Sequence, residues 1–379
     1  MKKAVVVGGS NGIGLALATA LARSDRYVYI LDRQRPDIHG RGIFPYIHCD
    51  LLDFNSAIVD ALARDEEIDT LFITAGLGRV ANFESLHPVE IDKLFGVNAV
   101  GAIKIIQSFY ERIRSKTPFF CGLMGSIAGL VVSPRYSVYG ATKAALTSFS
   151  RSLNIELEAQ GFSNRLLLVA PGKIEGTRFH SNSTQLEKLG DLSREILESL
   201  YSKKELFIPK YDEIYKNVLE ENMENPREFG LNSYKYKENA LQADGGKTPV
   251  IGYMSGTFDL FHIGHLNIIK KAKAQCDYLI VGVHKNVIHK KRETYISYEE
   301  RRAIVGAVSW VDKAVQACSE DSDAWEKYRY HRLFVGSDYK GSERFKKYQH
   351  FFEGKGVEIV FFPYTRSTSS TQLRAAIAS

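Results

Sequence analysis

The sequence predicts an α/β chain made of two doubly wound parallel-sheet domains. Three observations lead there. Short apolar runs alternate with amphipathic stretches along the chain, the pattern of strands returned by crossover helices. The length, 379 residues, exceeds what one hydrophobic core usually organises. A strand running straight into a turn and a helix with ligand-binding character occurs near the start of the chain and again near residue 250.

Taken in order, Lys3 to Val7, Tyr27 to Leu31, Thr70 to Thr74, Phe119 to Met124 and Leu166 to Val169 read as strands, with helical patterns between them. That alternation calls for a parallel sheet covered by helices on both faces. From about 180 to 240 the chain turns polar and aromatic, with helical signals at Thr184 to Tyr201 and Ile214 to Met223. This stretch reads as a substrate-covering insertion or as surface helices. Ala243-Asp244-Gly245-Gly246 is a turn cluster, and a new apolar strand begins at Pro249 to Tyr253. The boundary is therefore expected near 247, giving domains 1–247 and 248–379. Beyond it, strand-like runs recur at Tyr278 to Val283, Leu333 to Val335 and Val357 to Phe362, with no internal repeat.

Composition narrows the function classes. With 44% hydrophobic and 25% charged residues the chain is ordinarily globular, without disordered or fibrous bias. A formal charge of +6 is small for this length, and no like-charge block suits nucleic acid, although Lys270, Lys271 and Lys273 cluster. Mild basicity suits phosphorylated small molecules. Cys49, Cys121, Cys276 and Cys318 are far apart and form no CxxC pair, so neither a disulfide framework nor a zinc site is expected. No run approaches about 18 apolar residues, and the one after Met1-Lys2-Lys3 is broken early by glycines, so neither a membrane span nor a secretory signal is expected. A cytoplasmic protein is the expectation.

The first site follows the first strand. Gly8-Gly9-Ser10-Asn11-Gly12-Ile13-Gly14 leads into the helical run Leu15 to Leu21. Glycines there let the backbone approach a pyrophosphate seated at the positive end of the helix. The second strand ends in Asp32, whose carboxylate either binds the ribose hydroxyls of NAD or merely opens a turn. Arg33 and Arg35 beside it soften any preference against NADP. Further on, Tyr139-Gly140-Ala141-Thr142-Lys143 puts a phenol and an ammonium on one helix face. A nearby ammonium lowers a phenol pKa, so Tyr139 can hand a proton to a carbonyl oxygen as hydride arrives at carbon. With 20 tyrosines such a pair arises about once by chance, so its company decides.

That company resembles the short-chain dehydrogenase/reductase family. The family's glycine loop falls on Gly8, Gly12 and Gly14; its helix Asn on Asn98; its Ser, thirteen residues before the Tyr, on Ser126; its YxxxK on Tyr139 and Lys143; its PG turn on Pro171-Gly172. The resemblance covers about residues 1–247 and implies a Rossmann-like fold and an NAD(H) or NADP(H) cofactor. It implies that Ser126 polarises a carbonyl, Tyr139 is the acid/base, Lys143 lowers its pKa and holds the nicotinamide ribose, and Asn98 helps relay protons. By the same resemblance Gly8, Ser10, Asn11, Gly12, Ile13, Gly14, Asp32, Asp50, Leu51, Ala75, Gly76, Pro171 and Gly172 hold the cofactor. Two positions depart: Val7 stands where the family usually has Thr, and Ile73-Thr74-Ala75-Gly76 replaces its Asn-Asn-Ala-Gly.

The second site is Ser255-Gly256-Thr257-Phe258-Asp259-Leu260-Phe261-His262-Ile263-Gly264-His265, leading into the amphipathic Leu266 to Ala274. Two imidazoles at i and i+3 beside a helix N-terminus can stabilise a pentavalent phosphoryl transition state. A zinc pair would need a Glu or Cys that nothing nearby supplies. The string closely resembles the signature of glycerol-3-phosphate-type cytidylyltransferases, members of the HxGH nucleotidyltransferase superfamily. The resemblance continues through Tyr298-Glu299-Glu300-Arg301, Trp325, Val335-Gly336-Ser337-Asp338-Tyr339 and Arg366 to Ser369-Ser370-Thr371. It implies that His262 and His265 stabilise the transition state, that Lys290 and Arg292 neutralise phosphates, and that Asp338 and Arg366 help hold the nucleotide. Gly256, Thr257, Phe258, Arg301, Ser369, Ser370 and Thr371 complete the nucleotide site. The resemblance favours CTP over ATP, with Mg²⁺ accompanying the triphosphate, although the last segment departs partly toward adenylyltransferases and leaves ATP open.

A reductase that makes a hydroxyl suits a transferase that activates a phosphate monoester. The combination is similar to fused enzymes supplying CDP-ribitol for bacterial surface polymers. It implies reduction of a keto-sugar phosphate and coupling of the alditol phosphate to CTP, by a homo-oligomer without nucleic-acid or membrane partners. Two other readings stay open: a reductase fused to an ATP-using adenylyltransferase, and a dinucleotide-binding regulatory domain on a nucleotidyltransferase. Lys173, Arg178, Lys203 and Lys204 are either solvated surface charges or ligands of a substrate phosphate.

Overall fold

Strand and helix alternation closes into two separate sheets. The computed structural model describes residues 1–36, 44–78, 80–177, 184–244, 250–285 and 294–363, the last six residues of the fourth segment by backbone alone. The chain divides into two compact units, Met1–Gly246 and Lys247–Ser379.

In the first unit the strands are β1 (Lys3–Val7), β2 (Tyr27–Asp32), β3 (Tyr46–His48), β4 (Ile68–Ile73), β5 (Phe120–Met124), β6 (Leu166–Val169) and β7 (Leu206–Phe207). They stand in the order β3-β2-β1-β4-β5-β6-β7. All pairings are parallel, with Val5 between Tyr29 and Leu71. Such strands are buried on both faces, which explains their unbroken apolar runs. Val5, Val7 and Leu71 pack with Ile105 and Phe109 on one side, while Ala4, Val6 and Phe72 pack with Leu17, Leu21 and Ile196 on the other. Each large side chain so buried contributes roughly 1.5–3 kcal/mol. Gly122 of β5 has no side chain because the Phe72 ring fills that space, 2.2 Å from where a Cβ would stand.

In the second unit β8 (Ile251–Gly256), β9 (Tyr278–Val283), β10 (Lys313–Gln316), β11 (Arg332–Gly336) and β12 (Glu358–Phe362) take the order β10-β9-β8-β11-β12, again all parallel. In each sheet the order reverses beside the strand that opens the unit, β1 next to β4 and β8 next to β11. Open parallel sheets bind ligands at that point, outside the carboxyl ends of the strands.

The apolar runs mark the central strands, whereas β3, β7 and β10 carry no such signal. β3 and β7 are short and all three lie at a sheet edge, with most of their residues only partly covered. The helical signal at Thr184 to Tyr201 resolves into a 3₁₀ turn, Leu186–Leu189, and a helix, Gly190–Tyr201. That at Ile214 to Met223 opens as a wide π-type turn, Tyr211–Tyr215, before the helix Lys216–Glu224. The helix Pro226–Asp244 is mostly exposed over residues 226–238 and its sequence lacks a clear apolar stripe, so periodicity does not announce it. The four cysteines are unbridged thiols, and among the described residues no helix is long and apolar enough to cross a membrane.

Candidate active sites

The turn after β1 is fixed by close backbone approach. Gly8 has φ +84°, and a Cβ there would stand 2.4 Å from the Ala75 nitrogen; one on Gly14 would stand 2.3 Å from the Gly8 oxygen. Neither position admits a side chain. The two departures at Val7 and Thr74 meet each other here, because the Thr74 hydroxyl lies 3.0 Å from both the Val7 and Gly8 carbonyl oxygens. The brace that Val7 cannot supply comes from β4. Gly12, at φ +54°, donates its N–H to Thr184 Oγ1 at 2.9 Å, while Asn11 begins the helix Gly12–Arg23, with Ile13 in its first turn, without a side-chain cap.

Asp32 has a double role in the backbone. Its Oδ2 accepts the Ser10 N–H at 3.0 Å and its Oδ1 accepts that of Gln34 at 3.1 Å. It thus opens the turn after β2 and ties that turn to the glycine loop, while staying partly exposed with acceptor capacity left on each oxygen. Asp50 Oδ1 accepts the Leu52 N–H at 3.0 Å, and buried Leu51 packs where Gly101 has no Cβ. Gly76 lies against the catalytic group: a Cβ there would stand 3.3 Å from Lys143 Nζ and 3.5 Å from Asn98 Oδ1. Closely approached glycines, a helix N-terminus and a carboxylate, together at the carboxyl ends of β1 and β2, fit a dinucleotide.

Three elements bring the four expected catalytic residues together. Tyr139 and Lys143 lie one turn apart on the helix Ser137–Ala159, with Nζ 5.8 Å from the phenol ring centroid. Lys143 is buried and donates to the Met124 carbonyl at 2.8 Å. Ser126, just past β5, donates to the Pro171 carbonyl at 3.3 Å, accepts the Ala128 N–H at 3.2 Å and hydrogen-bonds Tyr139. Asn98 is fully buried in a π-type turn, Gly96–Gly101, an irregularity often found at functional sites. It exchanges hydrogen bonds with the Leu77 backbone at 2.8 and 2.9 Å and donates to Thr142 Oγ1 at 3.1 Å; that hydroxyl bonds the Tyr139 carbonyl at 2.7 Å.

The expected depression of the phenol does not appear here. Burial raises Tyr139, with the Ser126 hydrogen bond opposing it, and burial pushes Lys143 down to about 8. Desolvation outweighs the pairing because both groups lie in the same dry cluster. Tyr139 is therefore a protonated acid at neutral pH.

The stretch after Pro171 packs over this cluster. Gly172 lacks a Cβ because the Tyr215 hydroxyl would lie 1.6 Å from it, so its smallness serves the turn Tyr211–Tyr215. The two helices that follow reach the loop preceding Tyr139. Asn222 Oδ1 accepts the Val132 N–H at 2.9 Å, and Arg135, at φ +62°, pairs with Glu238 at 3.0 Å. Of the cations weighed for a substrate phosphate, Lys203 donates to Ser163, Lys173 and Lys204 are exposed, and Arg178 lies outside the described residues.

In the second unit the two histidines start the helix Ile263–Lys273. His262 Nδ1 accepts the Gly264 N–H at 3.0 Å, and His265 Nδ1 accepts that of His262 at 3.3 Å. The ring centroids are 4.1 Å apart. Accepting at Nδ1 leaves each neutral ring with its proton on Nε2, the donor a phosphate oxygen needs. Burial lowers the His262 pKa and so favours that neutral form. The loop before the pair is strained, with Phe258 at φ +52° and Leu260 at φ +49°.

Asp259, unmarked as a site residue in the sequence, holds that loop. It is buried, and its two oxygens accept the Tyr295 and Ile296 N–H groups at 3.2 and 3.1 Å. Its signal was a carboxylate between Phe258 and Leu260, where only a satisfied acceptor belongs. Arg301, expected among the nucleotide contacts, is instead a positioning residue. It is 1% exposed, and its guanidinium donates to the carbonyls of Ile296, Thr257 and His284.

A cavity of about 130 Å³ opens at the ends of β8, β9 and β11, lined in part by Gly256, Thr257, His284, Asp321, Gly336 and Tyr339. Asp338 is exposed, curled back toward Gly336, and Trp325 packs against Phe351 and Phe352. Lys290, Arg292, Arg366, Ser369, Ser370 and Thr371 lie outside the described residues.

The first sheet with its Ser, Tyr, Lys and Asn cluster has the form of a dinucleotide-dependent oxidoreductase, and the second with its histidine pair that of a nucleotidyltransferase. The short chain dehydrogenase model matches residues 2–188 and the cytidylyltransferase-like model residues 253–376. An uncharacterized short-chain type dehydrogenase/reductase of Sinorhizobium fredii is 33% identical over 177 residues, 45% of this chain and 69% of that protein. A glycerol-3-phosphate cytidylyltransferase of Bacillus spizizenii is 32% identical over 129 residues, 33% of this chain and 94% of that protein. An uncharacterized oxidoreductase of Saccharomyces cerevisiae is 31% identical over 190 residues, and this chain spans 61% of its length. The chain therefore belongs to two enzyme families, the short-chain dehydrogenases through its first unit and the cytidylyltransferase-like proteins through its second.

Proposed function

We propose that the chain reduces a keto-sugar phosphate to an alditol phosphate with NAD(P)H, then couples that product to CTP to give a CDP-alditol and pyrophosphate for a bacterial surface polysaccharide. The observation carrying this reading is the presence of both candidate catalytic sets in one chain, the second in a domain related to a protein named for glycerol 3-phosphate, itself an alditol phosphate.

In the first unit, the Gly8–Gly14 turn, the helix N-terminus and Asp32 would hold NAD(P)H, which would supply the hydride. Ser126 donates to the carbonyl oxygen, and Tyr139 gives that oxygen its proton. The Lys143 ammonium stabilises the phenolate left behind, and Asn98 fixes Thr142 and the Leu77 backbone around it. In the second unit, the Nε2–H groups of His262 and His265 donate to the α-phosphate oxygens as the alditol phosphate oxygen attacks phosphorus and pyrophosphate leaves. Mg²⁺ enters with the triphosphate.

The test incubates the protein with CTP or ATP, Mg²⁺, pyrophosphatase and a panel of polyol phosphates. The matching keto-sugar phosphates are run in parallel with NADH or NADPH. CTP-dependent phosphate release with one polyol phosphate, together with reduction of its own keto precursor, is the expected result. Release with ATP alone, or no reduction of any partner ketone, would sink the coupling of the two steps.

A further inference from the structure

The reductase cluster accounts for the carbonyl end of a substrate and leaves open what holds the rest of it. One cation in the covering helices is placed to do so. Lys237, on the helix Pro226–Asp244, is half-buried, and its Nζ donates to Ser133 Oγ at 2.9 Å and to the Pro134 carbonyl at 3.0 Å. An ammonium has three donors, so one is left over. The same Nζ lies 5.1 Å from the Tyr136 ring centroid, and that ring is 5.4 Å from the ring of Tyr139. Two contacts in series thus separate the ammonium from the catalytic acid, within reach of a short phosphorylated carbon chain.

Among the described residues no carboxylate pairs with Lys237, whereas its neighbour Arg135 is committed to Glu238 and Asn82. Burial pushes the ammonium down to about 8, so a bound anion would restore what desolvation takes away. A half-buried, unpaired cation beside a catalytic tyrosine is costly unless something anionic uses it.

We propose that Lys237 is the phosphate-binding residue of the reductase site, holding the far end of a phosphorylated ketone whose carbonyl faces Tyr139. The assignment rests on the reading of the first unit as a keto-sugar phosphate reductase and adds the residue that makes it selective for phosphate.

The test compares wild type, Lys237→Gln and Lys237→Arg on one ketose phosphate and on the same ketose without phosphate, with inorganic phosphate as a competitor. Loss of one charge-assisted contact should lower kcat/KM for the phosphorylated ketone about 10- to 100-fold more than for the free ketone in Lys237→Gln, mainly through KM. Lys237→Arg should retain most of the selectivity, and competition by inorganic phosphate should be lost in Lys237→Gln alone. A wild-type enzyme that does not favour the phosphorylated ketone would overturn both this subsite and the reading beneath it. A wild-type preference that survives intact in Lys237→Gln would overturn the Lys237 assignment alone, and so would an equal loss on both ketones.

Discussion

The two sites are built on different principles. In the reductase unit the candidate catalytic side chains stand on or directly beside sheet and helix: Tyr139 and Lys143 on one face of a long helix, Ser126 just past a central strand, Asn98 in a π-type turn that runs into a helix. In the transferase unit the chemistry rests on a strained loop, Phe258 to Leu260, and on the first turn of a helix. Buried charges there are consumed in holding backbone: Asp259 grips Tyr295 and Ile296, and Arg301 grips Thr257, His284 and Ile296. The first set is positioned mainly by the sheet and its helices, whereas the loop of the second is stitched in place by buried side chains. Substitutions in the reductase should therefore act on chemistry, while those in the transferase loop should act on stability and chemistry together.

The sharpest break is Tyr139→Phe. It removes the proton donor, leaves the ring packing and should lower reductase kcat by about 10²- to 10⁴-fold, read as NAD(P)H oxidation. CTP-dependent pyrophosphate release should be unchanged. Equal loss of both activities would mean that the two units are not chemically independent. Next is His265→Asn, which withdraws one Nε2 donor and should lower transferase kcat by about 10²- to 10³-fold with reduction intact. Because His265 Nδ1 also accepts the His262 N–H, an accompanying fall in Tm would show stitching as well as chemistry.

Asp259→Asn tests the stitching itself. The amide keeps one acceptor oxygen and turns an NH₂ toward the other backbone N–H, so one part-buried donor loses its partner at a cost of about 1 kcal/mol. Urea unfolding should show that loss, and transferase activity should fall while reductase kcat holds. An unchanged midpoint would mean that the loop is shaped by something other than this carboxylate.

Much of the first site was legible in the sequence for a physical reason. A spacing of four on a helix fixes a shared face, and glycines at a strand-to-helix turn announce close approach, so the placement of Tyr139, Lys143, Gly8 and Gly14 follows from local geometry, while the choice of that tyrosine, with Ser126 and Asn98, came from the family resemblance. What escaped was non-local. That Thr74 braces Val7 follows only once β4 is seen to lie beside β1, and Gly172 owes its smallness to Tyr215, 43 residues later. Arg301 is expected in the nucleotide site only through resemblance to a family segment; its partners here are carbonyls from three separate segments. The edge strands β3, β7 and β10 escaped because their apolar runs are only two or three residues long, whereas β12, also at an edge, carries four apolar residues in a row.

The pH dependence of the reductase sharpens the contrast on the catalytic side. Burial holds Lys143 near 8, so its ammonium is present below that pH and is lost as pH rises through it. Tyr139, raised by burial, keeps its proton over the same range. With the acid still protonated but its stabilising charge gone, kcat/KM for reduction should decline above pH 8 by up to about tenfold per unit. A profile flat to pH 10 would place the lysine's pKa well above this and make its burial less complete than the structure has it.

The smallest effect separates the two duties of Asp32. If its charge discriminates between cofactors, Asp32→Asn should narrow the NADH over NADPH preference by roughly tenfold, because removing one negative charge beside a 2′-phosphate is worth about 1–2 kcal/mol at a partly exposed site. If instead Asp32 chiefly ties Ser10 to Gln34, the amide, which can accept only one of those N–H groups, should weaken both cofactors alike by raising both KM values. The ratio of the two KM changes distinguishes charge from scaffold, and a shift in the ratio without a common rise would show that the first site uses even this carboxylate for chemistry more than for shape.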